Sequence, residues 1–242
     1  MNINEQGGRG WTSRALNRLL NTGALMGVAR FFITQRISGY DVPRQPLFDS
    51  PESTAWFIER LNAAEVYLEY GSGGSTFLAA TEKKRFFTRE SDRFFLEAVK
   101  KLIASNGLFD PERQSYFHAD IGLTGPWGAP IVLSNPPPSR LDRFRRYSDV
   151  PEGCLPGGYV PDLILVDGRF RAACALKLIR ALHGEAGWTL IVDDYVGRNY
   201  GIIEEFAELT RMVGRMAVFN DRHAIDRDAL DKAIRYHELV WD

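Results

Sequence analysis

Residues 66–80 read VYLEYGSGGSTFLAA, and this stretch decides the fold. A short apolar and aromatic run carrying an acid at position 69 passes into a turn built almost without side chains. A helix-like segment follows. Glycines at 71, 73 and 74 tolerate positive φ and let the backbone approach a neighbour or a ligand closely, while Ser75 and Thr76 can open the helix. Strand, bare loop and helix in this order form the unit from which parallel α/β sheets are wound.

The rest of the chain keeps that rhythm after residue 50. The expected strands are 66–70, 85–90, 115–120, 162–168, 189–195 and 216–220, with 234–241 (IRYHELVW) as the candidate seventh. Several are near-continuous apolar runs, as expected for parallel strands covered on both faces. The segment 91–107 reads as a helix capped by Ser91 or Asp92 and ended by Asn106-Gly107, and 171–187 and 201–214 repeat the pattern. The expected fold is therefore α/β: a Rossmann-like, doubly wound, mostly parallel seven-stranded sheet with an N-terminal helical extension. The extension is residues 1–50 and the main domain residues 51–242. Ligands in such a sheet sit outside the carboxyl ends of the strands. Residues 121–160, rich in Pro and Gly, interrupt the rhythm after the third strand. A connection of that length inside a compact domain reads as a lid-like, substrate-facing insertion.

Composition narrows the class. With 242 residues, 45% hydrophobic and 25% charged, the chain can bury a substantial core. Its net charge of −1 gives no basis for a nucleic acid partner. Cys154 and Cys174 stand apart with no metal-binding spacing, which fits a reducing, cytoplasmic setting. No apolar run is long enough for a transmembrane helix, and no secretory signal pattern opens the chain. The acid-poor segment containing Arg14, Arg18, Arg30 and Arg36 reads in two ways. It is either an amphipathic helix in peripheral contact with a membrane or a helix that packs its apolar face on the domain.

Glu90 ends the second strand nineteen residues after Gly71, near the offset at which an acid meets ribose hydroxyls in nucleotide-binding α/β units. The glycine spacing is not that of a dinucleotide site, because Gly74 follows Gly73 directly. Glu69 would also repel a pyrophosphate, though it could attract an ammonium group. LEYGSGGST instead resembles the first motif of class I S-adenosylmethionine-dependent methyltransferases. That resemblance covers about residues 60–220. It implies that Glu69, Gly71, Ser72, Gly73, Gly74 and Ser75 surround the methionine part of S-adenosyl-L-methionine. Glu90, with Ser91 and Asp92 beside it, would bind the ribose, and Asp120 and Ile121 in HADIG would meet the adenine.

The fourth expected strand ends in Asp167 and the fifth in Asp193 and Asp194. Adjacent strands lie about 5 Å apart, so three carboxylates can meet at one mouth and would repel unless a cation joins them. The pattern, IVDDYVGRNYG above all, resembles metal-dependent O-methyltransferases of the macrocin and catechol type. The resemblance implies that Asp167, Asp193 and Asp194 hold Mg²⁺. The alternative is a solvated turn at 193–194, with Asp167 acting without metal. The catechol-type enzymes carry a lysine base after the fourth-strand acid, and here Arg169 and Arg171 follow instead. Arginine stays protonated, so these two suit an anionic group of the acceptor or salt bridges to the acids. His223 is the histidine candidate for the base. Trp127, Tyr195 and Tyr200 offer flat walls for an acceptor. The activity expected is methyl transfer to a hydroxyl of a sugar, polysaccharide or small metabolite. A non-catalytic binding module and a nicotinamide-dependent oxidoreductase are the rival readings.

Overall fold

The computed structural model describes residues 22–241 apart from 133, 156 and 223. Among the described residues seven strands form one sheet: β1 (Val66–Tyr70), β2 (Arg85–Glu90), β3 (Gln114–His118), β4 (Leu163–Val166), β5 (Thr189–Val192), β6 (Glu208–Val213) and β7 (Met216–Asn220). Their order is β3-β2-β1-β4-β5-β7-β6. β1 to β5 are parallel, and β7 runs antiparallel to both β5 and β6.

Among the described residues seven α-helices flank the sheet or precede it: α1 (Thr22–Ile33), α2 (Pro51–Ala63), α3 (Gly74–Thr81), α4 (Arg93–Ser105), α5 (Pro138–Tyr147), α6 (Arg171–Leu182) and α7 (Arg227–His237). Their starts follow from local chemistry. The Ser50 hydroxyl accepts the Ser53 amide with Pro51 at the first helical position of α2, Asp92 accepts the Phe94 and Phe95 amides of α4, and Asp226 accepts the Ala229 amide of α7. Among the described residues no helix is long and apolar enough to cross a membrane.

Side chains that alternate along β1 divide the core in two. Tyr67 packs with Phe57 and Leu61 of α2 and Phe77 of α3 on one face. Leu68 and Tyr70 face the other way, into a cluster with Phe144 and Tyr147 of α5 and the apolar side of α6. β4 is buried at all four positions, as its LILV sequence requires.

Two expected elements are corrected. Residues 201–214 are not a helix but a short 3₁₀ turn (Gly201–Glu205) followed by β6. The two-residue connection Gly214-Arg215 turns β6 into β7, with Gly214 at φ +56, and pairing with β7 overrides the helical spacing of the apolar residues. The seventh strand is thus β6. The first half of segment 234–241 ends α7, where the Asp226 cap and the buried stripe Leu230, Ile234 and His237 favour a helix, and the second half is no strand.

The extension does more than precede the domain. After α1 a π-helical turn (Thr34–Ser38) leads into a strap, residues 39–50, laid over the carboxyl ends of the strands. Gln35 and the Tyr40 hydroxyl each donate to the Asp92 carboxylate at 2.7 Å. Gln45 and Pro46 cross α3 at Gly74, and Asp49 accepts the Arg215 amide at 3.0 Å. A Cβ at Gly74 would overlap the Gln45 carbonyl. Gly74→Ala is therefore expected to lower thermal stability by about 1–3 kcal/mol through overpacking, read as a lower denaturation midpoint with an unchanged far-ultraviolet spectrum.

Candidate functional site

The chain builds β1, β2 and β3 toward one edge of the sheet and β4 and β5 toward the other. β1 and β4 are thus neighbours whose following loops diverge, and a crevice opens outside their carboxyl ends. Its floor is backbone. Gly71 has φ +108, and a Cβ there would stand 3.2 Å from the Gly168 nitrogen. A side chain at Gly168 would collide with the Tyr147 hydroxyl, which accepts the Arg169 amide at 3.0 Å.

On the β1 side the glycine turn is held from beneath. Glu69 is 1% exposed, and its carboxylate accepts the Tyr67 hydroxyl at 2.8 Å, the Ser75 hydroxyl at 2.7 Å and the Thr76 hydroxyl. Strand alternation puts Glu69 on the Tyr67 face, under the start of α3. The expectation had Glu69 meet a ligand's ammonium group; the structure buries it beneath the turn, where it holds Ser75 and Thr76. Burial pushes its carboxyl up to about 6, against the lowering effect of the hydroxyl donors. Thr76 closes the turn by accepting the Gly73 amide at 2.9 Å.

At the end of β2, Glu90 Oε1 accepts the Ser91 and Asp92 amides at 2.6 and 2.9 Å and the Ser91 hydroxyl at 3.1 Å. Oε2 accepts the Ser72 hydroxyl of the glycine turn at 3.1 Å. Burial raises the Glu90 carboxyl, opposed by these same donors. The 121–160 segment reaches this point, since Ser91 donates to the Gly128 carbonyl at 3.0 Å. Next to Gly128, Trp127 is 89% exposed with φ +61. Ile121 is fully buried, whereas Asp120 is exposed and pairs with Arg143 at 2.9 Å.

Past β4 and β5 the acids do not converge as three. Loss of water raises the carboxyls of both Asp167 and Asp193, with Arg171 opposing, and the neighbouring Asp193 raises Asp167 further. Solvent reaches 42% of the Asp167 side chain and moderates that rise. Asp194, at φ +53, turns its carboxylate away to Arg215 at 3.0 Å and Arg198 at 3.7 Å. Burial would raise its carboxyl, but Arg215, Arg171 and Arg198 together hold it below the usual range. Arg171, 5% exposed, spans the group. It donates to Asp167 Oδ1 at 2.9 Å, to the Gly168 carbonyl at 3.1 Å, to the Asp167 carbonyl at 3.2 Å and to the Asp193 carbonyl, and lies 3.9 Å from Asp194. Among the described residues no group of three or more acids, histidines or cysteines is arranged to hold a metal ion. The donor set therefore does not fit the Mg²⁺ centre that the resemblance implies.

Other expectations change as well. Tyr200 is buried, and Tyr195 packs between Tyr200 and Phe219 with its hydroxyl on Glu204, so neither offers an open wall. His223 lies outside the described residues. Arg171 is occupied by the acids rather than by an acceptor group. The residues that sequence reasoning missed are Gln35, Tyr40, Tyr147 and Arg215. Only the glycine at 214 signalled one of them, as a turn.

No family model matches the chain, and no curated protein does. Solved structures do match. A methyltransferase-like protein from Silicibacter pomeroyi is 32% identical, with a TM-score of 0.66, over 81% of this chain and 98% of that one. The chain belongs to the class I S-adenosylmethionine-dependent methyltransferases. A methyltransferase from Geobacter sulfurreducens (14% identity, TM-score 0.41, 88% of this chain and 96% of that one) is also similar. So is an O-methyltransferase from Bacillus cereus in complex with SAH (14%, TM-score 0.40, 88% and 84%).

The methyltransferase fold carries a titration that can be measured. With its folded carboxyl at about 6 against an ordinary 4.5, Glu69 holds its proton more tightly when folded. Its contribution is thus present below pH 4.5 and is lost as pH rises to about 6. The loss is about 2 kcal/mol. Subtracting the stability–pH curve of Glu69→Gln from that of wild type is expected to isolate this fall between pH 4.5 and 6; a flat difference curve would refute it.

Proposed function

We propose that this methyltransferase moves a methyl group from S-adenosylmethionine to a hydroxyl of a small-molecule or glycan acceptor. The observation that carries the reading is Glu90, a buried carboxylate at the end of β2, tied through Ser72 to a glycine turn at the sheet's switch point. Oε1 is used up by the local backbone and Ser91. Oε2, with one hydroxyl donor, keeps acceptor capacity for the ribose hydroxyls. Gly71, Ser72 and Gly73 form the bare surface for the methionine part, and Ile121 is the apolar residue after β3 for the adenine edge.

When bound, the cofactor supplies an electrophilic methyl group on a sulfonium. The protein's part is positioning and proton handling. A cofactor held in the crevice between β1 and β4 would present that methyl group toward the ends of β4 and β5, where the Asp167–Asp193 pair would take the proton that the acceptor hydroxyl gives up. Arg169, half-buried beside Asp167, would meet an anionic group of the acceptor.

Calorimetry with S-adenosylmethionine and S-adenosylhomocysteine tests the reading. Wild type is expected to bind both at micromolar dissociation constants, and Glu90→Gln to bind 10- to 100-fold more weakly. That is the loss of one or two charge-assisted hydrogen bonds, roughly 1.5–3 kcal/mol. Absence of binding to wild type would sink the proposal.

A further inference from the structure

The acidic mouth is already balanced by the chain's own cations. Asp167, Asp193 and Asp194 face Arg171, Arg198 and Arg215, and Arg171 alone reaches all three aspartates through side chain or main chain. Arg171 is the first residue of α6, follows the left-handed Phe170 (φ +52), and is 5% exposed. Nε is bonded to Gly168, one terminal nitrogen to Asp193 and the other to Asp167. A guanidinium with its donors committed in this way is fixed in place rather than mobile at a rim.

We propose that Arg171 is a positioning residue that fills the cation's place at the ends of β4 and β5, so that this methyltransferase holds its acceptor-side carboxylates without a divalent metal. The proposal rests on the methyltransferase reading above. Three observations carry it. Arg171 is buried among the acids a metal would need. Asp194 is turned from Asp167 and Asp193 toward Arg215. A divalent ion entering here would meet Arg171 on Asp167 and on the Asp193 carbonyl, and Arg198 and Arg215 on Asp194. Lysine, the residue of the catechol-type pattern, would carry one compact ammonium and could not span Asp167, Gly168 and Asp193 at once. The planar fork suits an internal cation.

The test is calorimetric titration of Mg²⁺ into protein saturated with S-adenosylhomocysteine, with melting temperatures in Mg²⁺ and in chelator. Uptake of S-adenosylhomocysteine, measured in the same samples, reports separately on the methyltransferase reading. Wild type is expected to show no saturable Mg²⁺ heat and the same melting temperature in both buffers. Arg171→Met is expected to melt roughly 10 °C lower in chelator, because it removes a buried cation from partly exposed carboxylates and from the carbonyls of Asp167, Gly168 and Asp193, and to recover part of that loss with Mg²⁺. Arg171→Lys keeps a charge and is expected to melt between the two without responding to Mg²⁺. Saturable Mg²⁺ binding to wild type that disappears in Asp193→Asn would overturn the proposal, and this arm stands even if Arg171→Met fails to fold. A folded Arg171→Met protein indifferent to Mg²⁺ would overturn it as well.

Discussion

Glu69 lies almost wholly inside the protein, and three hydroxyl groups, from Tyr67, Ser75 and Thr76, make that burial tolerable. A buried carboxylate without donors would cost several kcal/mol. The requirement works in both directions. Two of the donors are the first residues of α3, so satisfying the charge also sets where the helix begins, and with it the path of the glycine turn. Thr76 then fixes Gly73, Ser72 reaches Glu90, and Glu90 gathers the amides of Ser91 and Asp92. The glycine-turn side of the crevice thus hangs from one acid buried beneath it.

The β4–β5 side is organised by the opposite charge. Where β1 uses an acid to collect hydroxyls, α6 uses Arg171 to collect carbonyls and carboxylates from the ends of β4 and β5. The two halves meet at Gly71 and Gly168, whose close approach leaves no room for side chains. Tyr147, brought in by α5, seals the junction by accepting the Arg169 amide. The long connection after β3 is therefore built into the floor of the crevice as well as reaching its rim at Gly128.

The parallel core was legible because several of its strands are near-continuous apolar runs alternating with helical stretches, and Glu90 was singled out by its distance from Gly71. The antiparallel edge was not. GIIEEFAELTRMVG spaces its apolar residues as a helix would, and only pairing with β7 makes Glu208–Val213 a strand. IRYHELVW failed in reverse, since its aromatic and β-branched residues suggest a strand while burial of Leu230, Ile234 and His237 on one face makes a helix. In the site, residue type was readable and direction was not. Period two along β1 could have placed Glu69 with Tyr67 and away from the mouth. Nothing local shows that Asp194 takes a left-handed backbone and turns to Arg215, or that Gln35 and Tyr40 come to rest on Asp92.

The strap that closes over the glycine turn also carries a history. Asp49 bonds to the amide of Arg215, 166 residues further along the chain. A ribosome making this protein must finish β6 and reach the hairpin beyond it before that contact has a partner. That single contact closes a loop over most of the molecule, whereas the rest of the strap and the turn before it have nearer partners: Asp92 for Gln35 and Tyr40, Gly74 for Gln45 and Phe57 for Phe48. The strap therefore docks in stages, with its Asp49 end the last to find a partner.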